Sequence, residues 1–176
     1  MSDNAARLDY DAIKARAVER ALQLGASARV APAKTDAASR DRMREAFARG
    51  DFVTWRYDDT YASRACDPAE ILPDARSVVC VALPYATKYA SRRDVRRGRV
   101  SNYAWSSDYH LRMRALLDDV ASVIDSEAEA RVTAVACDTR PLAERAFAAR
   151  AGVGWVGKHT NLIAPAAGSF VFLGEI

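Results

Sequence analysis

The sequence predicts a single α/β domain in which a mixed β-sheet is flanked by helices. The run from Ser77 to Ala82 is apolar after its first residue, as in a strand that is buried on both faces. A helical core stripe is also present, because apolar residues recur at steps of four, three and four at Met113, Leu117, Val120 and Ile124. The chain has 176 residues, and 50% of them are hydrophobic. This is enough to bury one core.

The first part of the chain contains two predicted helices with a strand between them. The helices cover Tyr10–Leu24 and Asp36–Arg49, and a glycine follows each of them. The strand covers Ser27–Ala33. The next stretch, 51–66, is aromatic and polar with no clear period. It is interpreted either as a loop over a ligand or as an ordinary surface loop.

The second part of the chain contains a long predicted helix at 107–128 and a shorter one. The shorter helix begins at Pro141, where a missing N–H is tolerated, and stops at Gly152. Strands of the sheet are expected near 77–83, 131–137, 161–164 and 169–175.

Composition excludes several classes of protein. The net charge of +3 permits an anionic partner without requiring one. No apolar run is long enough for a membrane span, and the polar N-terminus is unlike a signal peptide. Cys66, Cys80 and Cys137 are widely spaced, and none of them is part of a Cys-x-x-Cys pair. We therefore expect a cytoplasmic protein with reduced, structural thiols and no protein-bound metal ion.

A glycine-rich stretch matches the dinucleotide-binding fingerprint in letters only. Gly152, Gly154 and Gly157 have the spacing of that fingerprint, and Gly157-Lys158 resembles the end of a phosphate loop. Both motifs require a strand before the glycines and a helix after them. The order predicted here is the reverse, so both interpretations are rejected.

Two isolated side chains have structural and functional interpretations. Asp138 follows an apolar run, and from position alone Asp138 or Thr139 would cap the helix after Pro141. His110 lies three residues before Met113 and is expected to face inward, as a hydrogen-bonded core residue or as part of a site.

A cluster of five arginines forms either a solvated loop or a contact with nucleic-acid phosphates: Arg92, Arg93, Arg96, Arg97 and Arg99.

Linked motifs in the last forty residues resemble the signature of epoxyqueuosine reductase. They cover Asp138–Ala146, Ala151–Ile163 and Gly168–Ile176. Further matches occur at Arg64–Tyr85 and Tyr103–His110, although Ser106 and Ser107 replace a glycine and a basic residue that are more usual there. The resemblance implies reduction of epoxyqueuosine to queuosine at the wobble position of transfer RNA, with cobalamin and two [4Fe-4S] clusters.

The resemblance also implies roles for particular residues. Asp138 would be the general acid, with His110 beside it to orient the carboxyl or to help replace its proton. A carboxyl kept partly from water beside an apolar cofactor would retain a proton near neutral pH. Glu144 and Arg145 are expected to pair with each other or with neighbours. The implied cobalamin-binding residues are Arg64, Ser101, Asp138, Lys158, Thr160, Asn161 and Ser169, and the arginine cluster would hold the transfer RNA backbone.

The resemblance covers a limited part of the family's length. Family members continue into a ferredoxin-like domain whose cysteines bind the clusters, whereas this sequence stops at Ile176. We therefore expect a monomeric fragment that binds cobalamin weakly or not at all and does not turn over without an outside reductant. The alternatives are a non-catalytic RNA- or cofactor-binding module and a reductase similar to reductive dehalogenases. The sequence identifies no electron donor.

Overall fold

Three antiparallel strands form the central sheet. The computed structural model describes residues 8–87, 98, 100–138 and 140–176. Its sheet consists of β1 (Ser27–Pro32), β2 (Ser77–Pro84) and β5 (Val171–Glu175), with β2 in the middle. The middle strand is buried over six consecutive residues, in agreement with its apolar sequence.

The described residues contain five α-helices, and aspartates cap most of them. The helices are α1 (Tyr10–Gln23), α2 (Ala37–Arg49), α3 (Asp59–Ala65), α4 (Tyr109–Glu127) and α5 (Glu144–Ala151). The first four begin with an aspartate whose carboxylate accepts a backbone N–H of the first turn: Asp9, Asp36, Asp58 and Asp108. The last helix ends at Gly152, whose φ of 83° is left-handed.

The sheet separates two apolar clusters because side chains alternate along β2. Val79, Val81 and Leu83 pack with residues of α1 and α4, including Met113. On the other face, alternate residues pack with Phe147 of α5 and with the segment that follows it. Cys80 is fully buried on this second face, which confirms its predicted role as a core residue.

A small hairpin follows α5. Its strands are β3 (Trp155–Val156) and β4 (Leu162–Ile163), paired antiparallel. A Cβ at Gly154 would lie 2.2 Å from the carbonyl oxygen of Ile163, so this position requires glycine. A helix therefore precedes the glycines and a strand follows them, which confirms the rejection of the dinucleotide and phosphate-loop motifs.

The predicted α/β class with helices around a sheet is confirmed, but details differ. Each pairing between the described strands is antiparallel, so this part of the sheet is not mixed. The expected strand at 131–137 is reduced to a bridge between Ala136 and Glu175. Upstream of the bridge, the N–H of Val132 and the hydroxyl of Thr133 bond to the carboxylate of Asp125 instead of to a strand.

Two helices, α5 and α3, also differ from expectation. The helix α5 begins at Glu144, not at Pro141, and no side chain caps it. The N–H of Ala143 donates to the carbonyl of Ala65 at 2.7 Å, which holds this residue outside the helix. The helix α3 lies inside the stretch predicted as a loop. Its seven residues are too few for a helical period to be recognised in the sequence.

No helix in the described ranges is both long and apolar enough to span a membrane.

Candidate active site

Asp138 lies at the end of the segment that bridges to β5. Its φ of 53° places it in the left-handed region, which short polar residues tolerate better than most others. Its side chain is 59% exposed. The expected capping of α5 by this aspartate is not found, because Ala143 occupies the cap position.

Two side chains from the first turn of α4 approach the carboxylate of Asp138. The hydroxyl of Tyr109 donates to Oδ2 at 2.5 Å, and Nε2 of His110 lies 3.7 Å from the same oxygen. These contacts place a phenol and an imidazole around one carboxylate.

An aromatic stack holds Tyr109 in position. Its ring lies parallel to that of Phe172, with centroids 4.0 Å apart, and Phe172 in turn stacks on Tyr85 at 4.3 Å. Burial raises the pKa of the Tyr109 phenol, and its hydrogen bond to Asp138 raises it further. Tyr109 therefore keeps its proton and acts as a hydrogen-bond donor throughout the neutral range.

Asp108 orients the ring of His110. Its carboxylate caps α4 by accepting the backbone N–H of His110 at 2.9 Å and also lies 2.6 Å from Nδ1. These two bonds, the backbone one first, hold the pKa of Asp108 below its usual value. Because a carboxylate only accepts hydrogen bonds, Nδ1 carries a proton and Nε2 faces Asp138.

The predicted inward orientation of His110 is wrong. The side chain is 40% exposed, and it turns away from the core stripe because the cap of α4 holds its Nδ1 at the helix end. The imidazole thus belongs to a surface cluster of carboxylates and not to the core.

Glu144 contacts the backbone of Asp138 from the first turn of α5. Its Oε1 accepts the N–H of Asp138 at 2.9 Å. Burial raises the pKa of Glu144 to about 7, partly offset by this hydrogen bond. Of the two alternatives expected for Glu144 and Arg145, the structure shows pairing with neighbours: Glu144 accepts from Asp138, and Arg145 donates to the carbonyl of Thr160 in the hairpin turn at 2.9 Å.

A cleft of about 780 Å³ opens beside Asp138. It lies between α2, α3, α5 and the hairpin, and its size is within the range of small-molecule sites. Apolar side chains in its wall include Phe52, Tyr61, Leu142, Ala146 and Val156, and polar ones include Arg42, Asp138, Arg140, Glu144, Arg145 and Thr160.

The cobalamin-binding residues implied by the resemblance are only partly brought together. Asp138 and Thr160 line the cleft. Ser101 lines a different one, next to Phe170. The remaining residues are placed as follows: Arg64 lies 4.0 Å from Glu70, Ser169 bonds to Nε2 of His159 at 2.8 Å, and Lys158 and Asn161 are exposed in the hairpin turn.

The cleft nevertheless fits a broad cofactor with amide substituents. Apolar residues offer area to a flat ring, while guanidinium and hydroxyl groups at its rim can bond to amides. Among the described residues, no group of three or more His, Cys, Asp or Glu side chains is arranged to hold a metal ion. The five arginines of the predicted phosphate contact, Arg92, Arg93, Arg96, Arg97 and Arg99, lie outside the described residues.

The thiol next to Asp138 has a structural role. Cys137 is buried, and its Sγ lies 3.8 Å from the carbonyl oxygen of Leu173. Burial raises the pKa of this thiol to about 12, so it is protonated at neutral pH and is a poor nucleophile.

Comparisons with known proteins agree with this geometry. The family model described as "Epoxyqueuosine reductase QueG, DUF1730" matches residues 65–139, a range that includes Tyr109, His110 and Asp138. The structure of an epoxyqueuosine reductase with a modified tRNA-Tyr stem loop superimposes on 94% of this chain with a TM-score of 0.81 and 30% identity. The chain belongs to the epoxyqueuosine reductase family.

Other epoxyqueuosine reductases show how much of the family this chain represents. The enzyme of Synechocystis is 42% identical over 107 residues, which are 61% of this chain and 37% of that protein. The enzyme of Xanthomonas campestris is 36% identical over 139 residues, 76% of this chain and 39% of that protein.

A structure from Bacillus subtilis has its catalytic aspartate loop swung out of the active site. It matches with a TM-score of 0.77 and 28% identity, over 94% of this chain and 44% of that one. The tRNA-bound structure is likewise covered to 44%. This chain thus spans less than half the length of the epoxyqueuosine reductases it matches.

Three contributors to the site were not identified from the sequence. Asp108 and Tyr109 belong to the motif Tyr103–His110, in which only His110 is given a role, and Glu144 is expected only to pair with Arg145 or with neighbours. The available signal was that Asp108 and Tyr109 directly precede His110 in that motif and that Glu144 follows Asp138 by six positions. Only the fold shows which of these side chains meet.

Proposed function

We propose that this chain supplies the proton-donating site for the reduction of epoxyqueuosine to queuosine in transfer RNA. The observation that carries the proposal is the convergence of Tyr109 and His110 on the carboxyl of Asp138, at the edge of a cleft of about 780 Å³. Family membership supports the same reaction class.

The reaction requires a proton donor of this kind. Removing the oxygen of an epoxide as water, with formation of a carbon–carbon double bond, consumes two electrons and two protons. The C–O bonds break, and the departing oxygen takes up the protons. An acid within hydrogen-bonding reach of that oxygen lowers the barrier because it neutralises the developing alkoxide.

Asp138 is proposed as that acid. Tyr109, which keeps its proton, donates to Oδ2 and thereby stabilises the carboxylate left after proton transfer. His110 faces the same oxygen through Nε2, so the imidazolium, with a proton on each nitrogen, can return the Nε2 proton to the carboxylate. Asp108 holds the imidazole by its other nitrogen, so the ring keeps this orientation during the exchange.

We also propose cobalamin as the cofactor. The residues that would hold it are those of the cleft wall, with Leu142 and Val156 as apolar contacts and Arg140, Arg145 and Thr160 as partners for amides. When bound, low-valent cobalamin supplies electrons to the reaction. Protons come from the side chains around Asp138.

The proposed partner is the anticodon loop of a transfer RNA. One family structure contains a tRNA stem loop, and the cleft here has an aromatic wall with arginines beside it. Trp55 is 67% exposed and stacks on Tyr57. Tyr57 in turn contacts Phe52 and Tyr61, which line the cleft. Unpaired bases stack on such rings. The arginine cluster at 92–99 stays a prediction for the phosphate contacts.

Electron supply and cellular context are part of the same proposal. Two [4Fe-4S] clusters outside this chain would deliver the electrons, so the 176 residues alone would need a chemical reductant. A transfer RNA substrate places the activity in the cytoplasm, and a monomer is sufficient for the site, since the side chains that meet at Asp138 come from one chain.

Replacing Asp138 with Asn tests the function. In the intact enzyme with cobalamin and reductant, Asp138→Asn is expected to abolish queuosine formation while cobalamin and tRNA affinities stay within about twofold, because general acid catalysis contributes about 10²–10⁴-fold. Mass spectrometry of the tRNA nucleosides measures the product. Normal queuosine formation by the variant would favour the second candidate, a non-catalytic binding module.

A further inference from the structure

Glu144 provides a backbone anchor for the loop that carries Asp138. Its Oε1 accepts the N–H of Asp138 at 2.9 Å. The anchored residue has a φ of 53°. This conformation costs a non-glycine residue free energy, and it persists only where surrounding bonds maintain it. The bond from Glu144 is therefore placed at a residue whose backbone conformation needs such a constraint.

The sheet secures the loop from the other direction. Ala136 exchanges two backbone hydrogen bonds with Glu175, at 2.9 and 2.8 Å. Downstream, the N–H of Ala143 bonds to the carbonyl of Ala65. The segment between these two fixed points contains Asp138, and Glu144 bonds to it from the opening turn of α5.

The surroundings of Glu144 make its charge sensitive to pH. Several titratable or charged groups face Glu144 from the elements packed around it: Tyr61 of α3, Tyr109 and His110 of α4, Cys137 and Asp138 of the loop, Arg145 of α5 and Glu175 of β5. Burial and the negative charge of Asp138 oppose ionisation of Glu144, while the N–H of Asp138, Arg145 and His110 favour it.

Glu175 is the least usual of these neighbours. It is 2% exposed, and neither of its carboxyl oxygens has a hydrogen-bond partner among the described residues. It lines a mostly apolar cavity together with residues such as Leu72 and Leu142. Burial, and after it the negative charges of Glu144 and Asp138, raise the pKa of Glu175, so the neutral form of this carboxyl is favoured.

We propose that Glu144 is a positioning residue whose ionised carboxylate holds the Asp138 loop in its working conformation and whose protonation releases it. A hydrogen bond to an ionised acceptor is about twice as strong as a neutral one, so a proton on Glu144 weakens the anchor without removing it. The inference rests on the proposed role of Asp138 as proton donor, which gives the loop position its consequence for catalysis.

A merely structural role for Glu144 is the alternative. An acidic residue in the first turn of a helix is favoured by the helix dipole, and Glu144 is such a residue in α5. That role does not involve the amide of Asp138. Measurements on this amide therefore distinguish the two explanations.

The direct test follows the Asp138 amide in the ¹⁵N-labelled 176-residue chain by NMR. In the wild type, its proton resonance should move downfield as Glu144 ionises, with a midpoint at about pH 7. Glu144→Gln, which keeps an acceptor oxygen but cannot ionise, should abolish this titration. Glu144→Ala should exchange the Asp138 amide about tenfold faster, as expected for one lost hydrogen bond to a charged group.

Glu19→Gln is the matched control, because it makes the same chemical change at an exposed residue of α1. It should leave the Asp138 amide titration and exchange rate unchanged. Persistence of the titration in Glu144→Gln, or unchanged exchange in Glu144→Ala, would overturn the proposal.

A second measurement connects the anchor to catalysis. In the intact enzyme, the ratio of wild-type to Glu144→Gln turnover should rise as the pH passes about 7, with the KM for RNA unchanged. A ratio that does not vary with pH would refute the link to catalysis. Retained activity in Asp138→Asn would instead refute the proposed function, and the amide titration would be unaffected by that outcome.

Discussion

The hydroxyl of Tyr109 lies 2.5 Å from Oδ2 of Asp138, although 29 residues separate them in the chain. The contact joins the first turn of α4 to the loop that follows the bridge at Ala136. Because Phe172 stacks on the Tyr109 ring, the position of the hydroxyl depends on the sheet as well as on the helix.

Removing this hydroxyl should slow catalysis without disturbing the stack. Tyr109→Phe keeps the ring on Phe172 but loses a hydrogen bond to a charged group, which is worth about 1.5–3 kcal/mol. We expect turnover of the intact enzyme to fall by about ten- to a hundredfold. Tyr10→Phe, at a residue that is 66% exposed in α1, is the control. Unchanged queuosine formation in Tyr109→Phe would contradict a role for the hydroxyl.

The carboxylate of Asp108 has two functions that one substitution separates. Asn caps helices about as well as Asp, so Asp108→Asn should leave the thermal midpoint unchanged. Its neutral amide cannot replace the carboxylate beside Nδ1 of His110, so turnover should fall by about tenfold. Calorimetry and a nucleoside assay measure the two effects. A lower midpoint with normal turnover would mean that Asp108 serves the helix alone.

Stability should decrease as the pH rises from acid to neutral values. Burial raises the pKa of Glu144 from 4.5 to about 7 and that of Glu175 well above 4.5. The folded state thus binds more protons than the unfolded state between these values. This contribution to stability is complete below about pH 4.5 and is lost as the pH rises through the folded-state pKa values.

Glu175→Gln isolates the contribution of Glu175. The variant keeps the shape of the side chain and cannot ionise, so it should match the wild type near pH 4.5 and be more stable at pH 8. Urea denaturation at several pH values measures the difference. Equal stability of the two proteins at all pH values would show that Glu175 ionises without cost in the folded state.

The hairpin should not tolerate a side chain at Gly154. Gly154→Ala places a Cβ 2.2 Å from the carbonyl oxygen of Ile163, and the resulting shift of β4 should cost about 1–3 kcal/mol. Gly98→Ala is a suitable control, because a Cβ there meets no atom of the described residues within 4 Å. Thermal denaturation compares the two. A midpoint for Gly154→Ala equal to that of the control would exclude the close approach of the two strands.

Elements with a strong local pattern could be predicted from the sequence. The helices α1, α2 and α4 and the strand β2 agree with expectation to within about two residues, since core periodicity and capping residues are local features. The prediction of a strand at 131–137 was wrong, because an apolar run does not show whether a partner strand lies close enough to pair with it. Only Ala136 finds one.

The site was less predictable than the fold. Asp138 and His110 were found through their motifs, but the hydrogen bonds of Tyr109 and Glu144 to Asp138 join three separate segments of the chain. No periodicity or spacing encodes such contacts. The unpartnered burial of Glu175 is also a tertiary property, because the strand pattern alone does not reveal what packs above a carboxyl.

The left-handed backbone of Asp138 determines which substitutions of this residue report on chemistry alone. Asn adopts that conformation nearly as readily as Asp, whereas Ala or a β-branched residue resists it. An Ala or Val variant would therefore reshape the loop as well as remove the carboxyl, and its loss of activity would overstate the contribution of the acid. The geometry of one peptide unit thus makes the amide isostere the cleaner chemical probe.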